Sequence, residues 1–133
     1  MKKIVFLTGL CILAGCAAPK SGMQLNDLRK DAYLRTERSL PFDTFAKVQM
    51  ALFKHKAACG GDIEFKLNPR NASYAIITKK PSPAADWNHT IVLDLVLMEG
   101  RPIKASAYSY YAGTEAQIQQ MFDAVTRPQV CPK

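Results

Sequence analysis

The sequence predicts an α+β fold. A two-layer domain carries an antiparallel sheet of four to five strands with two helices on one face, in the order (β)-α-β-β-β-β-α. Three observations predict it. Two segments, one from Asp43 to about Ala58 and one from Thr114 to Pro128, repeat apolar residues with the 3.6-residue period of a helix. Four segments between residues 62 and 111 alternate apolar and polar residues, the period-two pattern of half-buried strands. The connections between those strands are hairpin-length, so neighbours run antiparallel. Each helix has one apolar stripe, so both pack on a single face of the sheet.

The elements follow in chain order. From Ala32 to Leu40, the residues Ala32, Leu34, Thr36, Arg38 and Leu40 alternate with Tyr33, Arg35, Glu37 and Ser39, the pattern of an edge strand. Pro41 stops it. Asp43 is the expected N-cap of the first helix. Phe45, Val48 and Leu52 form its core stripe, and Ala46, Gln49 and Phe53 widen it. Lys54, His55 and Lys56 fall in its last turns, where positive charge suits the helix dipole and where His55 is expected to be solvated. Gly60-Gly61 ends it.

Asp62 to Leu67 and Ser73 to Lys79 are strands joined by the turn Asn68–Asn71. A loop from Pro81 to Asn88 carries Trp87. His89 to Met98 places Ile91, Leu93, Leu95 and Leu97 on one face, with Val92, Asp94 and Val96 on the other. Glu99-Gly100 is a hairpin turn, and Pro102 to Tyr111 is the last strand. Thr114 and Gln117 read as a capping box for the second helix, whose stripe is Ile118, Met121, Phe122 and Val125. Pro128 ends it.

The first sixteen residues read as an address. Lys2 and Lys3 precede an apolar run from Ile4 to Leu13, which is too short to span a bilayer and suits a signal-peptide core. The run closes on Leu13-Ala14-Gly15-Cys16, which resembles the lipobox of bacterial lipoproteins. That resemblance implies a diacylglyceryl group on the Cys16 sulfur, cleavage before Cys16 by signal peptidase II, and acylation, for instance by palmitate, of the new amino group. Several acyl chains make such anchoring stable. With Ala17 rather than Asp after the cysteine, the resemblance implies the outer membrane, with the protein facing the periplasm. An ordinary secretory signal with Cys16 unmodified is the competing reading. The expected organisation is a signal peptide over 1–15, a lipidated tether over 16–31, with a short helix capped by Asn26 as an alternative reading of part of it, and one domain over 32–133.

Removing residues 1–15 leaves 118 residues and, with Lys2 and Lys3 gone, lowers the net charge from +7 to +5. The remaining charge is spread without a Lys/Arg stripe, so nucleic acid is not an expected partner. Cys11 leaves with the signal and Cys16 takes lipid. Cys59 and Cys131 remain, and in an oxidising periplasm such a pair reads as one disulfide, with free thiols or a metal site as alternatives. With 48% hydrophobic residues, the chain is neither disordered nor a polytopic membrane protein.

The order of elements resembles the helix-grip arrangement of small periplasmic lipoproteins, including domains of the barrel-assembly lipoprotein C. Ser39-Leu-Pro-Phe-Asp-Thr-Phe-Ala-Lys-Val48 is similar to the strand exit and helix start of such domains. The resemblance extends to fold and not to activity.

Catalytic patterns do not emerge. The serines stand in no nucleophile motif, no glycine-rich phosphate loop is present, and His89, near Asp86 and Asp94, has no nucleophile beside it. The expectation is therefore a non-enzymatic module with no cofactor beyond the covalent lipid on Cys16 and no metal. Its partners are the membrane, through that lipid, and another envelope protein. Tyr108 and Tyr110 beside Lys104 on the last strand, with Val92 and Val96 next to them, form the candidate binding face, and Trp87 is a second candidate. Two other functions fit the same features: an inhibitor or immunity protein against a periplasmic hydrolase or toxin, and a carrier of a lipid ligand between sheet and helices. A core filled by Phe45, Leu52, Phe65, Leu93, Ile118 and Phe122 would leave the carrier no room.

Overall fold

A computed structural model describes residues 22–133. The signal-peptide segment, the lipobox and Cys16 lie outside the described residues. The elements are helix α1 (Leu25–Leu28), a single 3-10 turn (Asp31–Tyr33), strand β1 (Leu34–Ser39), helix α2 (Phe45–Cys59), strands β2 (Ile63–Leu67) and β3 (Tyr74–Lys79), a second 3-10 turn (Trp87–His89), strands β4 (Ile91–Val96) and β5 (Lys104–Tyr108), and helix α3 (Glu115–Thr126). The five strands form one antiparallel sheet in the order β1-β5-β4-β3-β2. The edge strand expected near Ala32–Leu40 is β1, joined to the sheet by β5.

Pairing register assigns the faces. Leu93 sits opposite Ala107 and Ile77, and Leu95 opposite Ala105 and Ala75. All six are buried, together with Phe45, Val48 and Leu52 of α2 and Ile118, Met121, Phe122 and Val125 of α3. Helices and sheet thus share one core, and its apolar burial is the main term holding the layers together. Three alanines in the sheet let the helices approach closely. Of the six expected core fillers, five are in this cluster and Phe65 packs against it, 6.2 Å from Phe45.

Several expectations about local structure are corrected. The first helix is capped by Thr44, whose hydroxyl accepts from the Lys47 N–H at 3.4 Å, while Asp43 pairs with the Lys47 ammonium at 2.7 Å. The second helix starts after Thr114 without the capping box, because the Thr114 hydroxyl donates to the Tyr111 carbonyl at 3.4 Å. The last strand stops at Tyr108, because the next carbonyls are taken by side chains. Arg35 donates to those of Ser109 and Tyr110 at 3.1 and 3.0 Å, and the Ser109 hydroxyl donates to that of Tyr111 at 3.0 Å. His89 belongs to a 3-10 turn and not to a strand, since Asp86 accepts its backbone N–H at 3.2 Å.

The face of α2 differs as well. Ala51 and His55 join Phe45, Val48 and Leu52 in the interior, whereas Ala46, Gln49 and Phe53 face solvent. His55 is buried rather than solvated, and its Nδ1 lies 3.0 Å from the Pro128 carbonyl. The neighbouring disulfide brings that tail onto the helix. Cys59 and Cys131 are bonded, with their Cα atoms 5.2 Å apart and 72 residues between them in sequence.

The expected tether is corrected too. Residues 22–31 include α1, and Leu28 is fully buried. The domain therefore begins before residue 32.

On the far edge, β1 grips α3 through Arg38. Its guanidinium lies 4.6 Å from the Phe122 ring centroid and donates to Gln119 at 2.8 Å. Gln119 in turn donates to Asp123 at 2.9 Å, and Arg127 does so at 2.7 Å. Burial raises the Asp123 carboxyl, but Arg127, Gln119 and Arg38 together outweigh it and hold the group below its usual range. A depressed carboxylate stabilises the fold above its unfolded pKa, and that contribution disappears as pH falls through the lowered value. A pH–stability series below about pH 4 is expected to show a steeper acid-side loss than that of Asp123→Asn. Identical acid limbs in the two proteins would refute the assignment.

Candidate functional site

The sheet face away from α2 and α3 carries Thr78, Val92 and Tyr108 in one row, Ile76, Asp94 and Ser106 in the next, and Tyr74, Val96 and Lys104 in the third. This face is not bare. The chain enters across it as α1. A helix of four residues does not hold itself, and two contacts keep it in place. Leu28 is fully buried outside the helix-side core, as is Val92. Arg29 makes a two-pronged ion pair with Asp94, Nε to Oδ2 at 2.7 Å and Nη2 to Oδ1 at 2.8 Å. Both side chains are largely shielded from solvent, at 34% and 21% exposure, and the fork geometry fixes orientation as well as charge.

Beside α1 the face remains open, as a groove of about 700 Å³. Its lining includes Leu25 from α1 and Arg29 at the C-cap of that helix, Tyr74 and Ile76 from β3, Val96 from β4 and Tyr108 from β5. Lys66 and the β2–β3 turn, through Asn68 and Asn71, close one end. The amide oxygens of Asn68 and Asn71 accept the N–H groups of Arg70 and Ser73 at 2.8 and 2.9 Å, so their nitrogens are the donors they offer. Burial, followed by the carboxylates of Asp94, Glu37 and Asp31, pushes the Tyr108 phenol upward, which keeps it neutral and able to donate. An apolar floor, aromatic walls and a few polar groups are the ordinary features of a binding cleft.

The four residues proposed for binding do not converge here. Tyr108 lines the groove. Lys104 stands outside it, 2.9 Å from Glu37, and that pairing, helped by the Ser106 hydroxyl, holds the Glu37 carboxyl below its usual range. Tyr110 has left the strand and packs against Tyr33 at 5.3 Å and edge-on to Tyr111 at 5.0 Å. Trp87 is half-buried in the second 3-10 turn, with the Lys80 ammonium 5.1 Å from its ring. Of the two valines, Val96 lines the groove and Val92 is covered.

Sequence reasoning missed Leu25, Arg29, Lys66, Tyr74 and Ile76. The alternation of Ser73–Lys79 already placed Tyr74 and Ile76 on one face. The spacing of Leu25, Leu28 and Arg29 at i, i+3 and i+4 was the signal for α1.

His89 and Asp86 form an acid–imidazole pair. Asp86 Oδ1 lies 2.6 Å from His89 Nδ1, and this contact is the main cause holding the Asp86 carboxyl down. The two side chains are about half exposed, and the neighbour given for the imidazole is the Tyr111 ring, not a nucleophile. Among the described residues, no group of three or more His, Cys, Asp or Glu is arranged to hold a metal ion. Among them also, no helix is long and apolar enough to cross a membrane. No protein-family model matches the chain, and neither a curated protein nor a solved structure resembles it significantly.

Proposed function

We propose that this chain is a lipid-anchored lipoprotein of the outer membrane, facing the periplasm. In this reading it is a non-enzymatic module that binds an envelope protein through the groove on its open sheet face. One observation carries the reading. The groove is walled on one side by the segment that leads back to the lipobox cysteine, with nine residues from Leu25 to Cys16. A chain of that length reaches about 30 Å when fully extended. The lipid would hold the groove near the bilayer, where an exposed segment of a membrane-embedded protein is accessible. The Cys59–Cys131 disulfide supports an oxidising compartment.

Cys16→Ser is expected to leave the chain unprocessed or to release it from membranes. Unchanged partition into the detergent phase would overturn the anchor. For the groove, in-cell crosslinking is expected to lose its partner adduct in Tyr74→Ala and Tyr108→Ala but to keep it in Tyr110→Ala, which lies outside the lining. Equal yields in all three variants would sink the groove as the binding site.

A further inference from the structure

Helix α2 is apolar on two opposite sides. Phe45, Val48, Ala51, Leu52 and His55 face the interior. At about 100° per residue, Ala46, Met50, Phe53 and Ala57 line up on the reverse side. All four are exposed, Met50 at 55% and Phe53 at 70%. Lys54 and Lys47 border this stripe on one flank, and Lys56 with Gln49 on the other. The helix contains no Asp or Glu. Lys47 is neutralised locally by Asp43, whereas Lys54 and Lys56 form no ion pair among the described residues. An outward apolar ridge set between cations is costly to leave in water and is suited to an apolar socket rimmed with carboxylates.

Three occupants compete: the bilayer, a second copy and another protein. The bilayer is disfavoured by the length of the anchor, a point that rests on the lipidation of Cys16. Gly22 lies six positions after Cys16, a reach of about 20 Å fully extended. The chain enters on the α1 side, opposite α2, because Arg29 holds Asp94 on the face away from Leu93 and Leu95. Helices about 10–12 Å across lie on both sides of the sheet, so the path round its edge to the outer surface of α2 exceeds that reach. A second copy would set Lys54 and Lys56 against the same lysines. We infer that the outward face of α2, centred on Phe53 and Met50, docks an acidic protein in the periplasm, on the side of the domain turned away from the membrane.

The test uses the full-length chain in its own cells, with Phe53 replaced by the photoreactive benzoylphenylalanine. The expected result is an adduct with a different protein, whose crosslinked peptide is rich in Asp and Glu. Its yield should fall about tenfold when Lys54→Glu and Lys56→Glu are combined, and similarly in about 0.5 M salt. Melting curves confirm that these exposed changes leave the fold intact. An adduct of twice the chain mass, one with lipid alone, no adduct, or one indifferent to charge reversal would each overturn the inference. Membrane fractionation of the same cells separates the two readings. A chain that stays with membranes but gives no adduct at position 53 refutes the docking face alone. A soluble chain that still gives the charge-sensitive adduct refutes the anchor alone.

Discussion

Replacing both Cys59 and Cys131 by Ala is expected to lower the unfolding free energy by about 4 kcal/mol, because the bridge closes a 72-residue span and removes that loop's freedom from the unfolded chain. For a domain of this size, each kcal/mol shifts the melting temperature by about 4–8 °C. The expected drop is therefore roughly 15–30 °C, read by thermal denaturation of the oxidised protein and of the variant. A local effect accompanies the global one. The tail after α3 carries the Pro128 carbonyl that faces the buried His55 at 3.0 Å. Without the bridge this tail loses its covalent hold on α2, and a buried imidazole left without its partner adds a cost of its own. A loss below about 1 kcal/mol would show that the reduced chain already restrains its ends, contrary to the loop-entropy account.

The second large effect is expected at Leu93. It is fully buried at the centre of β4, which is paired on both sides and lies beneath the helices. Leu93→Ala removes buried methyl groups and leaves a cavity in a layer that cannot collapse, for about 2–5 kcal/mol of global stability. Leu28 is just as inaccessible, yet the same substitution there should act differently. It sits on a four-residue helix held by one buried side chain and one ion pair. Such a segment can detach alone, so its loss is bounded by the local opening energy. Hydrogen exchange is expected to show Leu28→Ala releasing residues around 22–33 while the sheet stays protected, and Leu93→Ala lowering protection throughout. Equal global losses would make α1 part of the single cooperative unit.

Much of the framework was legible locally. The stripe Ile118, Met121, Phe122 and Val125 is the buried face of α3, and the alternation of Ile91, Leu93 and Leu95 is the core face of β4. Cap positions were less legible. Asp43 and Thr44 are both good caps, and the local sequence does not choose between them; Thr44 accepts the Lys47 N–H, while Asp43 pairs with the Lys47 ammonium. The groove was half legible. Tyr108 and Val96 follow from alternation, but their wall of Leu25 and Arg29 comes from a segment 65 residues away from Asp94.

The two faces of α2 show the same limit more sharply. Periodicity marks Phe45, Val48 and Leu52 as one stripe, yet it also groups Phe53 with them, and nothing local says on which flank the helix will be covered. That was decided by α3 and by the tail that the disulfide draws against His55, which buried the Ala51 flank and left Phe53 outside.

By itself, the sequence determined the order of the strands and the two long helices, the antiparallel sheet, and the core residues of β4 and α3, and it left Cys59 and Cys131 as the pair that reads as a disulfide. Each of these follows from short-range periodicity or from the few cysteines available. Only the tertiary structure decided that residues 22–31 pack on the domain, that Arg29 closes on Asp94, and that α2 turns a ridge edged by lysines outward. Those outcomes depend on which surfaces meet across long stretches of chain, and burial is assigned by the neighbour that arrives, not by the period of the segment that waits for it.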